Sequence, residues 1–356
     1  MKILHSADLH LDAPFTGRTE AQAQVLKQAL LSVPGHLAEL CRRENCDLVL
    51  LSGDLFDGAW SRDSFSALRN ALEEMAVPVF IAPGNHDFFS PNSPYLAENW
   101  PKNVHIFTRP EIESVVIPEL DCRIYGAGYR SMDCEGLLDG FCAEGTERWH
   151  IGVLHGDPTQ SNSPYCPITA NQIRESGLDY LALGHIHKTS NIRAGETLCA
   201  WPGCPMGRGY DELDTKGAII VTLEDVVRAE FVPLNTPRFF DYEVAPGTNL
   251  VATLSSLLPA LGDENFYRIT LTGEAPQLDI SNLRAAFAQF PNLELRDRTT
   301  PPLDIWGSAS EDTLEGVYFR LLKSAADEAD ASTRETLTLA ARISRQILDG
   351  QEVRLP

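Results

Sequence analysis

The sequence predicts an α/β fold, and two observations carry that reading. Short apolar runs alternate with helix-patterned stretches from residue 1 to about 235, which implies a sheet layered between helices. Five of the apolar runs end in residues of metal-ligand type, four with a glycine beside the ligand. Hydrophobic residues make up 43% and charged residues 22%, a globular composition that excludes a disordered or fibrous chain.

The elements follow in order. KILHS opens as a strand and leads into Asp8 and His10. Helical periodicity covers 20–43, where Pro34 predicts a break or kink. CDLVLLS is the next strand, and a helix over 62–75 has Ser61 as its N-cap. VPVFIA, NVHIFT, CRIYGAG, HIGVLH and DYLALG read as strands, as does the pair GAIIVTL and AEFVPL. Beyond VPLNTPRFF the character changes. FFDYEVA, 249–261, FYRITLTG, 280–289 and LELRDR read as strand, helix, strand, helix, strand, a small α+β domain. TTPPLDIWG is a linker, since consecutive prolines stop regular structure. Residues 311–349 are helical, with Leu314, Val317, Tyr318, Leu321 and Leu322 on one face. The expected domains are 1–235, 236–306 and a helical 307–356.

Several classes are excluded or disfavoured. The apolar runs are too short to span a bilayer. The N-terminus reads as a strand rather than a signal peptide, so a cytoplasmic location is expected. Eight cysteines contain no C-x-x-C pair and are expected to be reduced. A zinc site from Cys199 and Cys204 would need two further ligands. A net charge of −21 opposes unaided nucleic-acid binding, where basic residues must replace counterions.

The chemistry sits at the strand ends. In D-x-H, Asp8 and His10 would project to one side of extended chain. SGDLFDG supplies Asp54 and Asp57, with a helix-capping turn as the alternative for the latter. PGNHDF supplies Asn85, His86 and Asp87; an Asn oxygen suits a hard cation, a histidine suits acid catalysis, and an Asx turn is the plain alternative. LHGD supplies His155, and GHIH supplies His185 and His187, again two apart on extended chain. Five of nine histidines fall in these motifs. Sites in open α/β sheets form beyond the carboxyl ends of strands, so the motifs are expected to meet at one rim.

In this order, D-x-H, G-D-x-x-D, G-N-H-D, H-G and G-H-x-H resemble the calcineurin-like metallophosphoesterase superfamily. HSADLHLDAPF, LLSGDLFD, HGDPTQSNSPYCP and WPGCPMGRGYDE are similar to the SbcD-type DNA repair exonucleases, in their YhaO-like branch. The resemblance implies a β-sandwich flanked by helices (α/β/β/α layers), a smaller α+β capping domain and a helical C-terminus. It implies one metal on Asp8, His10 and His187, another on Asn85, His155 and His185, and Asp54 bridging. His86 would be catalytic, with Asp57 and Asp87 orienting ligands; some relatives carry a histidine where Asp57 stands.

Two cations about 4 Å apart can hold a phosphodiester, neutralise it and generate a hydroxide nucleophile. The donor set lacks thiolate and suits Mn²⁺, with Fe²⁺ or Zn²⁺ as alternatives. The resemblance implies a DNA nuclease partnered by an SbcC-like coiled-coil ATPase, with 311–349 as the expected docking site or, alternatively, a helix packed on the parent domain; it also implies a homodimer, for which the apolar stretch 20–43 is one candidate surface. Arg208, in PGCPMGRGYDE, would contact phosphate or form a surface ion pair. The competing function is a phosphatase or phosphodiesterase for a small or nucleotide substrate.

Overall fold

The computed structural model describes residues 1–247 and 249–353. The strands are β1 (Lys2–Ser6), β2 (Leu48–Leu51), β3 (Val79–Ile81), β4 (Val104–Ile106), β5 (Glu113–Ile117), β6 (Cys122–Gly126), β7 (Trp149–His155), β8 (Tyr180–Gly184), β9 (Ser190–Ala194), β10 (Thr197–Trp201), β11 (Gly217–Thr222), β12 (Arg228–Pro233), β13 (Phe239–Val244), β14 (Phe266–Leu271) and β15 (Leu293–Asp297). The helices are α1 (Glu20–Glu44), α2 (Arg62–Met75), α3 (Pro94–Ala97), α4 (Ala170–Glu175), α5 (Leu250–Leu257), α6 (Ile280–Ala286), α7 (Leu314–Glu328) and α8 (Ala331–Leu348).

Period-two patterning builds the layers. One six-stranded sheet runs β12–β11–β1–β2–β3–β4, the other β5–β6–β7–β8–β10–β9. Ile3, Leu48, Leu50 and Phe80 from the first share a core with Ile151, Val153, Tyr180 and Ala182 from the second. Their sequence neighbours point the other way. Leu4, Val49, Leu51 and Ile81 pack with Leu26, Leu30, Leu37, Phe65 and Leu72 of α1 and α2. Leu154, Leu181 and Leu183 pack with Ile173 of α4. The result is mixed α/β, two sheets face to face with helices on both outer sides.

The two helices packed on the first sheet, α1 and α2, are capped as the sequence dictates. Ser61 forms a capping box with Ser64 at the start of α2, and Thr19 forms one with Gln22 at the start of α1. The break predicted at Pro34 is corrected: α1 runs through it, with Pro34 itself buried. The lost N–H bond is offset by apolar packing on both sides of it. The same packing corrects the dimer surface proposed on 20–43. Leu26, Leu30, Val33, Leu37 and Leu40 are all buried within this chain, so that face is already occupied.

The chain divides into two compact units, Met1–Asp241 with Glu264–Tyr267, and Tyr242–Asp263 with Arg268–Pro356. The second contains α5, α6, α7, α8, β15, half of β13 and most of β14; the three strands pair in the order β13–β14–β15. The helical stretch 311–349 is two helices, parted at Ala329 and Asp330, where Asp330 caps α8. Of its predicted apolar face, Leu314, Val317, Tyr318 and Leu321 are exposed. The helix buries Gly316, Phe319 and Ala326 instead. Among the described residues no helix is long and apolar enough to cross a membrane.

Candidate metal centre

β1, β2 and β3 are parallel neighbours in one sheet, and β7 and β8 are parallel neighbours in the other. The five motifs follow the carboxyl ends of these strands. The backbone beyond β1 is not extended, and this corrects the expected presentation of Asp8 and His10. Asp8 has φ 54° and His10 φ 46°. The Asp8 N–H donates to the Gly53 carbonyl at 3.0 Å and the His10 N–H to the Asp54 carbonyl at 2.9 Å. Pairing between these two loops, rather than strand pleat, sets where the side chains go. His185 is likewise left-handed at φ 94°, as is Asp54 at φ 52°. Such backbone costs a non-glycine residue roughly 1–3 kcal/mol and gathers at functional sites. At Gly53, φ is +87° and a Cβ would lie 2.5 Å from His155 Nδ1; only glycine fits there.

The predicted ligands converge. Ligand atoms of Asp8, His10 and His187 lie within 4.8 Å of one another, as do those of Asp8, Asp54 and His155. Asp54 Oδ2 lies 3.8 Å from His10 Nε2 and 3.4 Å from His155 Nε2, between the two groups. His10 Nε2 and His187 Nε2 face each other at 3.2 Å. Asn85 Oδ1 lies 2.9 Å from His155 Nε2 and 3.3 Å from His185 Nδ1. The His185 N–H donates to Asp8 Oδ1 at 3.0 Å. Asp8, His10, Asp54, Asn85 and His155 are buried.

Three of the four rings are anchored through their far nitrogen. His10 Nδ1 meets Asp57 at 2.9 Å, His155 Nδ1 meets the Ser52 carbonyl at 2.8 Å, and His187 Nδ1 meets Glu212 at 2.7 Å. Each leaves Nε2 to the centre, the arrangement in which an outer partner fixes the tautomer of a ligating histidine. Asp57 also takes His86 Nδ1 at 3.1 Å, so it is not the helix cap offered as an alternative. That capping region is served by Asp12, which accepts from the Ser61 N–H at 2.8 Å. Asp87 holds the loops together, accepting from the Gly84 N–H, the Leu55 N–H and the Tyr95 hydroxyl at 2.8, 2.6 and 2.6 Å. His86 is the exposed member, its side chain 43% accessible.

The electrostatics follow from this crowding. Burial opposes ionisation of Asp54, but His155 and His10 beside it and the His86 N–H hold its carboxyl well below the ordinary range. Hydrogen bonds from His10 and His86 do the same for Asp57. His155 resists protonation by burial, yet Asp54, then Asp8, raise it to about 9. The bond to Asp57 raises His86. These four groups favour charge separation, a field prepared for cations as much as for protons.

Arg208 lies at the site and forms the ion pair with nearby acids that was its alternative reading, half-buried rather than on the open surface. Its Nη2 lies 3.1 Å from Glu212 Oε1 and from His187 Nδ1, and its Nη1 lies 3.7 Å from Asp57. Cys204 clusters with His187 and Glu212, but Cys199 joins none of the potential ion-binding clusters found among the described residues. Burial, aided by Glu212, pushes the Cys204 thiol up to about 12. The ligands read from the five motifs are imidazole, carboxylate and amide oxygen. That set fits hard to intermediate divalent cations.

A family model described as calcineurin-like phosphoesterase matches residues 1–189, more than half of the chain. The chain belongs to the calcineurin-like phosphoesterase family. It is 33% identical over 241 residues to the uncharacterized metallophosphoesterase YhaO of Bacillus subtilis (strain 168), covering 62% of this chain and 57% of that protein. It is 24% identical over 287 residues to a subunit of the SbcCD nuclease of the same organism, covering 66% of this chain and 71% of that protein. With the corresponding nuclease subunit of Staphylococcus epidermidis it shares 22% over 308 residues, 76% and 79% of the two chains. This chain thus spans a little over half of the YhaO relative's length.

Calcineurin-like phosphoesterases are metal-dependent phosphoester hydrolases that typically bind two divalent ions, and the candidate clusters here fall within the matched segment apart from Cys204 and Glu212. Sequence reading missed Glu212. It lies in the same glycine-rich loop as Arg208, directly after Asp211, and nothing in the residue order says which acid turns inward. It also missed Tyr165, whose ring centroid lies 4.9 Å from that of His185.

Proposed function

We propose that this chain is a two-metal phosphodiesterase acting on DNA, with Mn²⁺ as its native ion. The observation that carries this reading is the convergence of side chains from five loops around Asp54, three of the histidines anchored from behind. One ion would be held by Asp8, His10 and His187, the other by Asn85, His155 and His185, with Asp54 shared. When bound, such a pair neutralises the phosphate and lowers the pKa of water.

The chain's own residues do the rest. Asp54, His10 and His155 fix the spacing of the two halves. His86 is open to solvent, and its bond to Asp57 favours the protonated ring. It holds a proton for the leaving oxygen, the task of a general acid. Asp57 orients both His86 and His10. Arg208, braced by Glu212, supplies a fixed positive charge for a substrate phosphate beside His187.

DNA as substrate is supported by relatives named as nuclease subunits. By the same likeness the partner would be an SbcC-like coiled-coil ATPase. The exposed apolar residues Leu314, Tyr318 and Leu321 of α7 are where it would dock. The net charge of −21 favours the second reading, a phosphatase or phosphodiesterase for a small or nucleotide substrate. The deciding measurement sets Mn²⁺-dependent degradation of linear DNA beside hydrolysis of bis-p-nitrophenyl phosphate at low salt, with and without an ATPase partner. Degradation of DNA supports the first reading. Cleavage of the small ester with DNA left intact under both conditions selects the second.

A further inference from the structure

We infer that Glu212 is a positioning residue for the metal centre: its carboxylate sets the tautomer, orientation and donor strength of His187, and it keeps Arg208 from competing for that ring. This rests on the metal-ligand reading of His187 given above.

The geometry is specific. Glu212 is only 8% exposed. Its Oε1 lies 2.7 Å from His187 Nδ1. Its Oε2 accepts the Arg208 backbone N–H at 2.8 Å, and Oε1 also takes Arg208 Nη2 at 3.1 Å. The same loop grips His187 a second time. Lys216, 5% exposed, donates from Nζ to the His187 carbonyl at 3.0 Å. A buried carboxylate costs several kcal/mol unless its lone pairs are satisfied, and here one side chain satisfies them with a ring and a guanidinium together.

The chemistry follows from the donor count. A guanidinium can only donate. Arg208 Nη2 sits 3.1 Å from His187 Nδ1, and without Glu212 it would favour the tautomer with Nδ1 as acceptor. That tautomer places the proton on Nε2, the nitrogen 3.2 Å from His10 Nε2, and so blocks the lone pair a cation needs. Glu212 reverses the preference. It accepts a hydrogen bond from Nδ1–H, so the proton stays on that nitrogen, engages Arg208 through its own oxygens, and leaves the Nε2 lone pair free. A carboxylate behind an imidazole also makes it a stronger donor.

The test is a Mn²⁺ titration of the metal-free full chain by isothermal calorimetry. The wild type is expected to bind in two steps. Glu212→Gln should weaken one step about 10–100-fold and leave the other in place. In a His187→Ala background, Glu212→Gln should change nothing further, because its effect passes through that ring. Equal weakening of both steps, or a full additional loss in the His187→Ala background, would assign Glu212 a merely structural role and overturn the inference; so would unchanged binding. If Glu212→Gln does not fold, Glu212→Ala in the same two backgrounds is read by the same criteria. A wild type that binds no Mn²⁺ would instead bring down the metal-centre reading itself.

Discussion

The two halves of the candidate centre are built differently. On one side His10 and His187 are each backed by a carboxylate, Asp57 and Glu212. On the other, His155 is backed by the neutral Ser52 carbonyl, and the amide oxygen of Asn85 stands between His155 and His185. The first half concentrates negative charge behind its rings, and the second relies on dipoles. Asp54 joins them. The contrast teaches that similar imidazoles acquire different donor strength from what lies one shell away. The half with the charged backing also holds His86 and the Arg208 guanidinium, through Asp57 and Glu212.

The sharpest way to separate chemistry from ligation is His86→Ala. It should lower kcat by about 10²–10⁴-fold while metal content measured by elemental analysis stays at the wild-type level. Loss of both together would make His86 a ligand. Asp57→Asn strikes the charged half. Metal affinity should fall about 10–100-fold at one position, seen as one weakened step in a Mn²⁺ titration. Removing the Asp57 hydrogen bond also takes away what raises His86. The ring then loses its proton at lower pH, and the alkaline limb of kcat against pH should move toward acid. A limb that stays put would separate His86 from the proton transfer.

Gly53→Ala tests the neutral half. Its Cβ would press on His155 Nδ1 and on the Gly84 backbone in a conformation costing about 1–3 kcal/mol. A lowered melting temperature with one Mn²⁺ step abolished is expected; retention of both steps would show that His155 has room to shift. The last effect, on stability and not on metal binding or turnover, is at His5, behind the neutral half. Its Nε2 meets Ser52 Oγ at 2.6 Å and its Nδ1 the Tyr180 hydroxyl at 2.7 Å. Burial lowers its pKa to about 3, so the folded chain keeps it neutral. As pH falls below about 6.5 the unfolded chain takes up the proton and the folded one does not. Stability is therefore full above that pH and declines by up to about 1.4 kcal/mol per unit toward pH 3. Denaturant unfolding between pH 6.5 and 4 should show a shallower decline in His5→Asn than in the wild type. Equal slopes would mean that His5 does not govern it.

The sequence determined the strand series, the capped helices and the residue types at each strand end. Those depend on local periodicity and on glycine and capping chemistry, which are written in neighbouring residues. It overlooked β5, β9 and β10. ESVVI is charged at one end, and SNIRA and TLCAW mix polar with apolar residues, because edge strands and their partners need not alternate cleanly. Pro34 looked like a break because a proline's local cost is visible in the sequence and the packing that offsets it is not. Only the tertiary structure decided that Asp8 and His10 leave the strand in left-handed turns, since loop-to-loop hydrogen bonds join residues some 45 positions apart. Only it chose Glu212 over Asp211 as the partner of His187. The line between the two is physical: one-dimensional order encodes what each residue can donate, and three-dimensional packing assigns which neighbour receives it.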